Sequence, residues 1–482
     1  MKKQIADLLL YRWRYILGYG TLIAIFITAI TISTLYTPGG ITQAEINTIE
    51  RTNALANGEL TLPNLPLHLL QLVSFSLFGV SIFTIKLPAI ILSIVSAVAI
   101  FFLLRRWFKS NITILSMLIM ATTGQFIFLA QHATTQILYV AYSALILLFA
   151  SMILQKAKGH LIWKISLAIT VALSCYTPYF IYINLGLLIA ALFHPHPRLH
   201  LFKRSQRINW LIAGAVFALV LSPLAYLITQ SPALLTEVLG YESLRLNVFE
   251  NIKTLVQSYF WTEPLVIGNH IAPILDFSSL ALIILGAPVM FRHRYTARTY
   301  VIAAWLLLTL PVLILRPQLT TIALVPLFIL LAMGVETLLG QWYRLFPKNP
   351  YARATGLIMI VGLIGVMVLS GVERFTNGYR HLPLAAQRFS TDISLLKKEL
   401  ANRPVRTHLV AHNTELALYE ALAMHQVTNL TVSTDQTEAS TANIIVTHRA
   451  LEGTETTNWQ LQKIAANGRA SDADRLYLYK AD

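Results

Sequence analysis

The side chains that could do chemistry lie almost entirely between the long apolar runs of this sequence. Within the runs, Asp276 and Glu336 sit near run ends, and Lys86 begins one. Ion-coupled transporters and proton pumps place charged groups near the bilayer centre. This distribution therefore counts against transport and directs the search for chemistry to the segments between the runs.

Two of those segments are long, about 37–83 and about 230–271, and long ordered loops usually carry function. A carboxylate there can accept a proton, and a cation can stabilise a developing negative charge. The first segment contributes the carboxylate Glu45. The acids of the second segment are Glu237, Glu242, Glu250 and Glu263, and the candidate cations of the chain are His68, Lys86, Arg245 and Arg316.

Metal-binding patterns are weak in this sequence. The one cysteine, Cys175, lies in an apolar run, so neither an internal disulfide nor a thiol metal site is predicted. The tract 194–197 alternates histidine and proline, but its prolines break helix spacing and we interpret it as a solvated loop. The sequence therefore predicts no metal ligands.

The composition indicates an integral membrane protein. Of 482 residues, 56% are hydrophobic and only 12% are charged, about half the charged fraction of soluble domains. The net charge of +15 does not indicate nucleic-acid binding, because Lys and Arg fall in short clusters between apolar runs. The first run, about 16–36, is too long for the core of a cleavable signal peptide, so we expect a retained membrane span.

Runs of about 20 apolar residues predict about eleven transmembrane helices. The predicted spans are 16–36, 84–104, 111–130, 136–154, 161–177, 178–193, 209–229, 272–291, 299–315, 319–340 and 354–371. The segment Pro66–Gly79 is apolar, but counting it as a span would move the cluster Arg105–Lys109 to the outside. We therefore predict that it lies in, or re-enters from, the outer interface.

Charge sets the orientation of these spans. Six short segments on one side contain twenty Lys and Arg residues, whereas the facing segments before the last span contain five. The positive-inside rule then places the N-terminus in the cytoplasm and both long loops outside the cell membrane. By the same rule, residues after 371 lie outside the cytoplasm.

After Gly371 the composition changes to that of a small soluble α/β domain, so we predict two domains, 1–371 and 372–482. Strands are predicted at 407–411, 443–447 and 476–479, and helices at 391–401 and 414–425.

The order of motifs in the first long segment resembles the GT-C superfamily of membrane glycosyltransferases. The motifs are Gln43–Asn47, Leu62–His68, Phe75–Ser81 and Lys86–Ala89, and a later one begins at Arg316. They are similar to an acidic pair, a proline-rich turn, a Leu-Phe-Gly helix and an Arg-Leu-Pro entry to the next span. The branch concerned includes protein O-mannosyltransferases and the aminoarabinose transferase of lipid A.

The sequence departs from the family pattern at three places. Ala44 stands where the family has the first acid of its pair, which leaves Glu45, and Asn64 replaces the lysine of the proline-rich turn. The run Gln131–Gln136 lacks an acid that the family often has there, and we interpret its His132 and Thr135 as ordinary helix-end residues.

The resemblance implies transfer of a sugar, with inversion, from a polyprenyl-phosphate donor to a lipid, glycan or protein acceptor outside the cytoplasmic membrane. It implies Glu45 as the catalytic base and the four cations, His68, Lys86, Arg245 and Arg316, as ligands of the donor phosphate. It leaves a divalent metal open as a cofactor and gives no role to nucleic acid. Two alternatives remain: a non-catalytic relative that binds polyprenyl lipids or glycans, and a transporter or flippase.

Overall fold

The computed structural model describes most of the chain. The described residues are 14–36, 40–60, 62–202, 207–241, 247–260, 265–267, 270–292, 294–346, 350–380, 392–401, 406–427, 429–434, 443–451, 459–466 and 475–481. The chain divides into two compact units. The helical unit comprises residues 1–31, 92–130 and 135–375, and the mixed unit comprises 32–91, 131–134 and 376–482.

Helices dominate the first 380 residues. In chain order they are α1 Arg14–Tyr36, α2 Gln43–Ala56, α3 Leu65–Phe78, α4 Ile82–Trp107, α5 Ser110–Thr122, α6 Gly124–Gln131, α7 Gln136–Leu154, α8 His160–Ser174, α9 Phe180–Phe193, α10 Pro195–Phe202, α11 Arg207–Gln230, α12 Ala233–Leu239, α13 Val248–Phe260, α14 Phe277–Arg292, α15 Ala297–Leu315, a 3₁₀ helix Pro317–Ala323, α16 Leu324–Leu345 and α17 Pro350–Arg380. A short hairpin, β1 Leu265–Ile267 with β2 His270–Ala272, precedes α14.

The helices bear out a multi-pass membrane protein but not the number eleven. Among the described residues, six helices are long and apolar enough to cross a membrane, or seven when the bent pair α5 and α6 counts as one span. Each of the eleven predicted spans contains a helix. The four outside these seven contain α8, α9 and α14, which are short, and α1, whose apolar part among the described residues is Gly18–Thr28. One further expectation was wrong: the histidine–proline tract begins helix α10, because proline is tolerated in a first helical turn.

Two glycines allow close packing of α14 and α16 in the helical unit. A Cβ atom on Gly334 would overlap the carbonyl oxygen of Leu282, and one on Gly286 would overlap that of Leu330. Small residues at such crossings let helix backbones approach closely where no hydrophobic force drives association.

Helix α3 confirms the helix predicted at 66–79, and it buries polar side chains while it exposes several apolar ones. His68, Gln71 and Ser74 are buried, whereas Val73 and Leu77 are 52% and 69% exposed. An apolar face that points outward suits contact with lipid.

The C-terminal residues form a five-stranded sheet. Its elements are α18 Asp392–Ala401, β3 Thr407–Val410, α19 Leu416–His425, β4 Leu430–Ser433, β5 Asn443–Thr447, α20 His448–Leu451, β6 Trp459–Ala466 and β7 Arg475–Ala481. The strand order is β4-β3-β5-β7-β6, with β3 parallel to both of its neighbours and β7 antiparallel to β5 and β6. The three predicted strands and two predicted helices are confirmed, whereas β4 and β6 were missed.

The sheet shares one hydrophobic core with the first long segment, within the mixed unit. Ile49 of α2 and Phe75 of α3 belong to the same buried cluster as Leu409 of β3 and Tyr419 of α19. Two hydrogen bonds reinforce this packing. The Gln43 side chain donates to the carbonyl of Thr414 at 2.9 Å, and the Asn53 side chain donates to the carbonyl of Ala417 at 2.7 Å. The domain boundary at 371 stays a prediction.

Candidate functional site

Helix α2 begins with a capping box that fixes the backbone around Glu45. Thr42 is the N-cap, in an extended conformation, and Glu45 is the third helical residue. The carboxylate oxygen Oε2 of Glu45 accepts hydrogen bonds from the backbone amide of Thr42 at 2.9 Å and from its hydroxyl at 3.2 Å. This reciprocal arrangement satisfies amide groups that a helix start leaves without intrahelical partners.

The second carboxylate oxygen of Glu45 holds a distant turn of the chain. Oε1 accepts a hydrogen bond from the backbone amide of Ala133 at 2.9 Å. Beside it, Nε2 of His132 lies 3.3 Å from the hydroxyl oxygen of Thr42. Glu45 is completely buried and His132 is 3% exposed, so this cluster is an enclosed polar centre. His132 was interpreted as an ordinary helix-end residue, because no local pattern indicates contact with a residue near position 45.

Electrostatics keep Glu45 ionised inside this centre. Burial alone would raise its pKa, but the positive charge of Lys86, the neighbouring His132 and the amides of Ala133 and Thr42 outweigh burial and lower the pKa below its ordinary value. Burial dominates at His132 and lowers its pKa to about 4, despite the nearby carboxylate. At neutral pH the cluster therefore contains a carboxylate and a neutral imidazole.

Lys86 is the predicted phosphate ligand that the structure brings to Glu45. It is in the first turns of α4 and only 8% exposed. Its charge acts on both Glu45 and His132. In this structure the positive charge of Lys86 therefore compensates the negative charge of the buried Glu45 carboxylate.

His68 lies in the same unit but forms a separate buried network. Its Nδ1 is 3.3 Å from the hydroxyl of Thr52, which donates to the side-chain oxygen of Gln71 at 2.7 Å. Burial, together with the charge of Arg51, lowers the pKa of His68 to about 4. The imidazole is therefore neutral at pH 7, and the role of His68 as a ligand of the donor phosphate stays a prediction.

Arg316 belongs to the helical unit and lies in the turn between α15 and the 3₁₀ helix. It is partly exposed. The turn is held by Gln136 of α7, which donates to the carbonyl of Gln318 at 3.1 Å and accepts from the hydroxyl of Thr321 at 3.2 Å. The turn thus presents an arginine on a fixed backbone. Arg245, the remaining predicted phosphate ligand, lies outside the described residues.

A cavity of about 190 Å³ lies in the helical unit at the end of α15, the helix that precedes Arg316 in the chain. It is lined by Tyr179, Tyr182, Tyr241, Leu239, Gly240, Val312 and Leu315. Tyr179 has φ +63°, an uncommon conformation for a bulky residue, and its hydroxyl donates to the carbonyl of Gly240 at 3.1 Å. No local sequence pattern indicates this cavity, because its lining residues come from three separate stretches of the chain.

The residues around Glu45 do not fit a divalent-metal site. Both of its oxygens accept hydrogen bonds from Thr42 and Ala133, and its charged neighbour is a lysine. In the part of the chain that the structure describes, no group of three or more His, Cys, Asp and Glu side chains is placed to hold a metal ion.

Comparisons with known proteins agree with the first-segment motifs. A sequence model of the family "Dolichyl-phosphate-mannose-protein mannosyltransferase" matches residues 65–227. The structure is similar to that of ArnT from Cupriavidus metallidurans bound to undecaprenyl phosphate, with a TM-score of 0.57 and 12% identity over 95% of this chain and 98% of that chain. The apo form of ArnT gives a TM-score of 0.55 at 12% identity, over 96% and 98% of the two chains. No curated protein sequence matches the chain.

These similarities define the class of the fold. The chain shares the fold of ArnT over nearly its whole length. The resemblance predicted from the motifs between residues 43 and 89 is confirmed.

Proposed function

We propose that this protein transfers a sugar from a polyprenyl-phosphate donor to an acceptor in the cell envelope. The observation that carries the proposal is the full-length similarity to ArnT, which was crystallised with undecaprenyl phosphate. The partial match to a family named for a dolichyl-phosphate-mannose transferase supports the same donor class. At 12% identity the sugar and the acceptor do not carry over from these proteins.

The proposed reaction is a single displacement with inversion at the anomeric carbon. The acceptor hydroxyl oxygen bonds to that carbon while the bond from carbon to the phosphate oxygen breaks, and polyprenyl phosphate leaves. Glu45, ionised at neutral pH, takes the hydroxyl proton. Because its hydrogen bonds in this structure are internal, one of them must open to admit the acceptor.

Cations would stabilise the charge on the departing phosphate. Arg316 is the best placed of the four predicted ligands, because it is partly exposed on a fixed turn beside the tyrosine-lined cavity. Arg245, Lys86 and His68 remain proposed ligands, and a neutral His68 would donate a hydrogen bond rather than supply a charge. The proposal includes no metal step, since the residues around Glu45 do not form a cation site.

The proposed topology has eleven spans, a cytoplasmic N-terminus and an extracytoplasmic C-terminal sheet in the plasma membrane. The excess of Lys and Arg in six alternate segments supports this orientation. The short helices α8, α9 and α14 would cross with help from neighbouring turns and local thinning of the bilayer.

A second candidate function is non-catalytic binding of a polyprenyl lipid. The observation that favours it is the capping box, which gives Glu45 a structural task that accounts for both carboxylate oxygens. Donor turnover separates the two candidates. The enzyme consumes a polyprenyl-phosphate sugar and releases polyprenyl phosphate, whereas the binding protein retains the intact donor.

A further inference from the structure

Another cavity lies in the helical unit, and none of its lining residues belongs to the tyrosine-lined cavity. Its volume is about 540 Å³. It is formed by the start of α5, the end of α14, the start of α15 and the last turns of α16. Three of the six segments predicted to be cytoplasmic, 105–109, 292–298 and 344–353, therefore contribute residues to one cavity.

The lining is strongly basic and also contains apolar side chains. Among the lining residues one side chain is acidic, Glu336. The apolar lining residues include Ile112, Val289, Met333 and Leu339. The basic lining residues are Lys109, Arg292, Arg298 and Arg344. A cavity lined by basic and apolar side chains suits a ligand that has an anionic headgroup and an apolar chain.

Arg298 is held in place by three different contacts. Its guanidinium forms an ion pair with Glu336 at 3.3 Å and donates to the carbonyl oxygen of Trp107. It also lies over the ring of Phe108, 4.1 Å from the ring centroid. The acid of the cavity is thus already engaged by one arginine, and the other three basic side chains retain an excess of positive charge.

We propose that this cavity binds the phosphate headgroup of an anionic membrane phospholipid. Arginine and lysine side chains from three segments would contact the phosphate oxygens, and the acyl chains would continue along the apolar residues. A basic pocket between membrane helices is a recognised arrangement for such headgroups. The inference does not depend on the proposed glycosyl transfer, because it concerns other residues.

The test measures lipid retention by the delipidated full-length protein with native mass spectrometry. Phosphatidylglycerol and phosphatidylcholine are offered at equal concentration, and inorganic phosphate is the soluble competitor. The test variant is the double substitution Arg292→Gln and Arg344→Gln, which spares the contacts of Arg298. The control is Lys158→Gln with Arg198→Gln, which removes two exposed charges of predicted cytoplasmic segments outside the cavity.

The wild-type protein should retain phosphatidylglycerol in preference to phosphatidylcholine. The cavity variant should lose that preference by about tenfold or more, the factor expected for loss of charge-assisted hydrogen bonds, while the control variant keeps it. Equal retention of the two lipids by the wild type, or an equal loss in the control variant, would overturn the proposal. Complete displacement of the lipid by millimolar inorganic phosphate would also overturn it, because the site would then be one for free phosphate.

Discussion

The carboxylate of Glu45 accepts a hydrogen bond from the backbone amide of Ala133 although 88 residues separate them in the chain. The same carboxylate closes the capping box of α2 through Thr42. One buried side chain therefore joins the first long segment to the turn that precedes α7, and it does so as an anion. Glu45 therefore has a structural role in addition to its proposed catalytic one.

Substitution Glu45→Gln separates charge from shape at this centre. If Glu45 is the base, the transfer rate should fall by roughly a hundredfold to ten-thousandfold, because the amide cannot accept the proton. The free energy of unfolding should also fall, by about 1–3 kcal/mol, since an amide nitrogen would face the N–H group of Thr42 or Ala133. The measurements are sugar transfer and thermal unfolding of the purified variant.

The matched control is Thr42→Ala, which weakens the capping box by about 1 kcal/mol but leaves the carboxylate in place. Transfer per folded molecule should stay near the wild-type rate in this variant. An equal fall in Thr42→Ala and Glu45→Gln would reject base catalysis and leave Glu45 a positioning residue.

Acid should destabilise the protein through its buried histidines. The pKa values of His68 and His132 are about 4 when folded and near 6.5 when unfolded, so between these values the unfolded chain binds more protons. The stability that the neutral imidazoles contribute is present above about pH 6.5 and is lost as the pH falls toward 4. The melting temperature in detergent should therefore drop between pH 7 and pH 5.

The substitution His68→Gln should flatten that pH dependence, whereas His412→Gln, at an exposed histidine of the same unit, should leave it unchanged. A wild-type melting temperature that is constant between pH 7 and pH 5 would contradict the burial of these neutral imidazoles.

Removal of the Lys86 charge should change the pH profile of the reaction. Lys86 helps to hold the pKa of Glu45 below its ordinary value, so Lys86→Met should raise that pKa. The acid limb of the profile of kcat should then move to higher pH. Lys253→Gln, at an exposed residue of the second long loop, serves as the control and should leave the limb in place. An unmoved limb in Lys86→Met would show that Glu45 does not govern it.

Arg316 should govern affinity for the donor. Substitution Arg316→Gln should raise the Kd for polyprenyl phosphate by roughly tenfold to a hundredfold, since hydrogen bonds to charged groups contribute about 1.5–3 kcal/mol. Binding can be followed by retention of the lipid on the purified protein, with Lys253→Gln again as the charge-matched control. Equal Kd values for wild type and Arg316→Gln would remove Arg316 from the phosphate site.

The predicted orientation has a direct test in reporter fusions. A reporter that is active only outside the cytoplasm should be active when fused after residue 400 and silent at Arg204, because the segment around Arg204 is one of the six basic ones. The opposite result at either position would overturn the proposed topology.

The sequence predicted the helices well because apolar runs report burial in lipid directly. It also predicted α19 and β5, whose hydrophobic patterns are local. It missed β6, an edge strand with exposed Leu461 and Ile464, because exposed apolar residues in a polar stretch do not give a clear alternation.

The site was less predictable because its contacts are long-range. Glu45 was predicted as a catalytic base, but its enclosure by Ala133, His132 and Lys86 could not be predicted, because these residues come from distant parts of the chain. His68 was predicted as a cation. Its neutral state could not be predicted, because its burial beside Thr52 and Gln71 depends on how α2 and α3 pack. Residue type and spacing gave the candidates, and only tertiary packing decides their protonation and exposure.

The most direct test of the proposed function is turnover of a labelled polyprenyl-phosphate sugar by the purified wild-type protein, with an envelope extract as the acceptor source. We expect time-dependent transfer of label to acceptor and release of an equal amount of polyprenyl phosphate, with both rates at least about a hundredfold lower in Glu45→Gln. Donor that is bound but never consumed, across a panel of polyprenyl-phosphate sugars, would contradict glycosyl transfer and establish the protein as a lipid-binding relative.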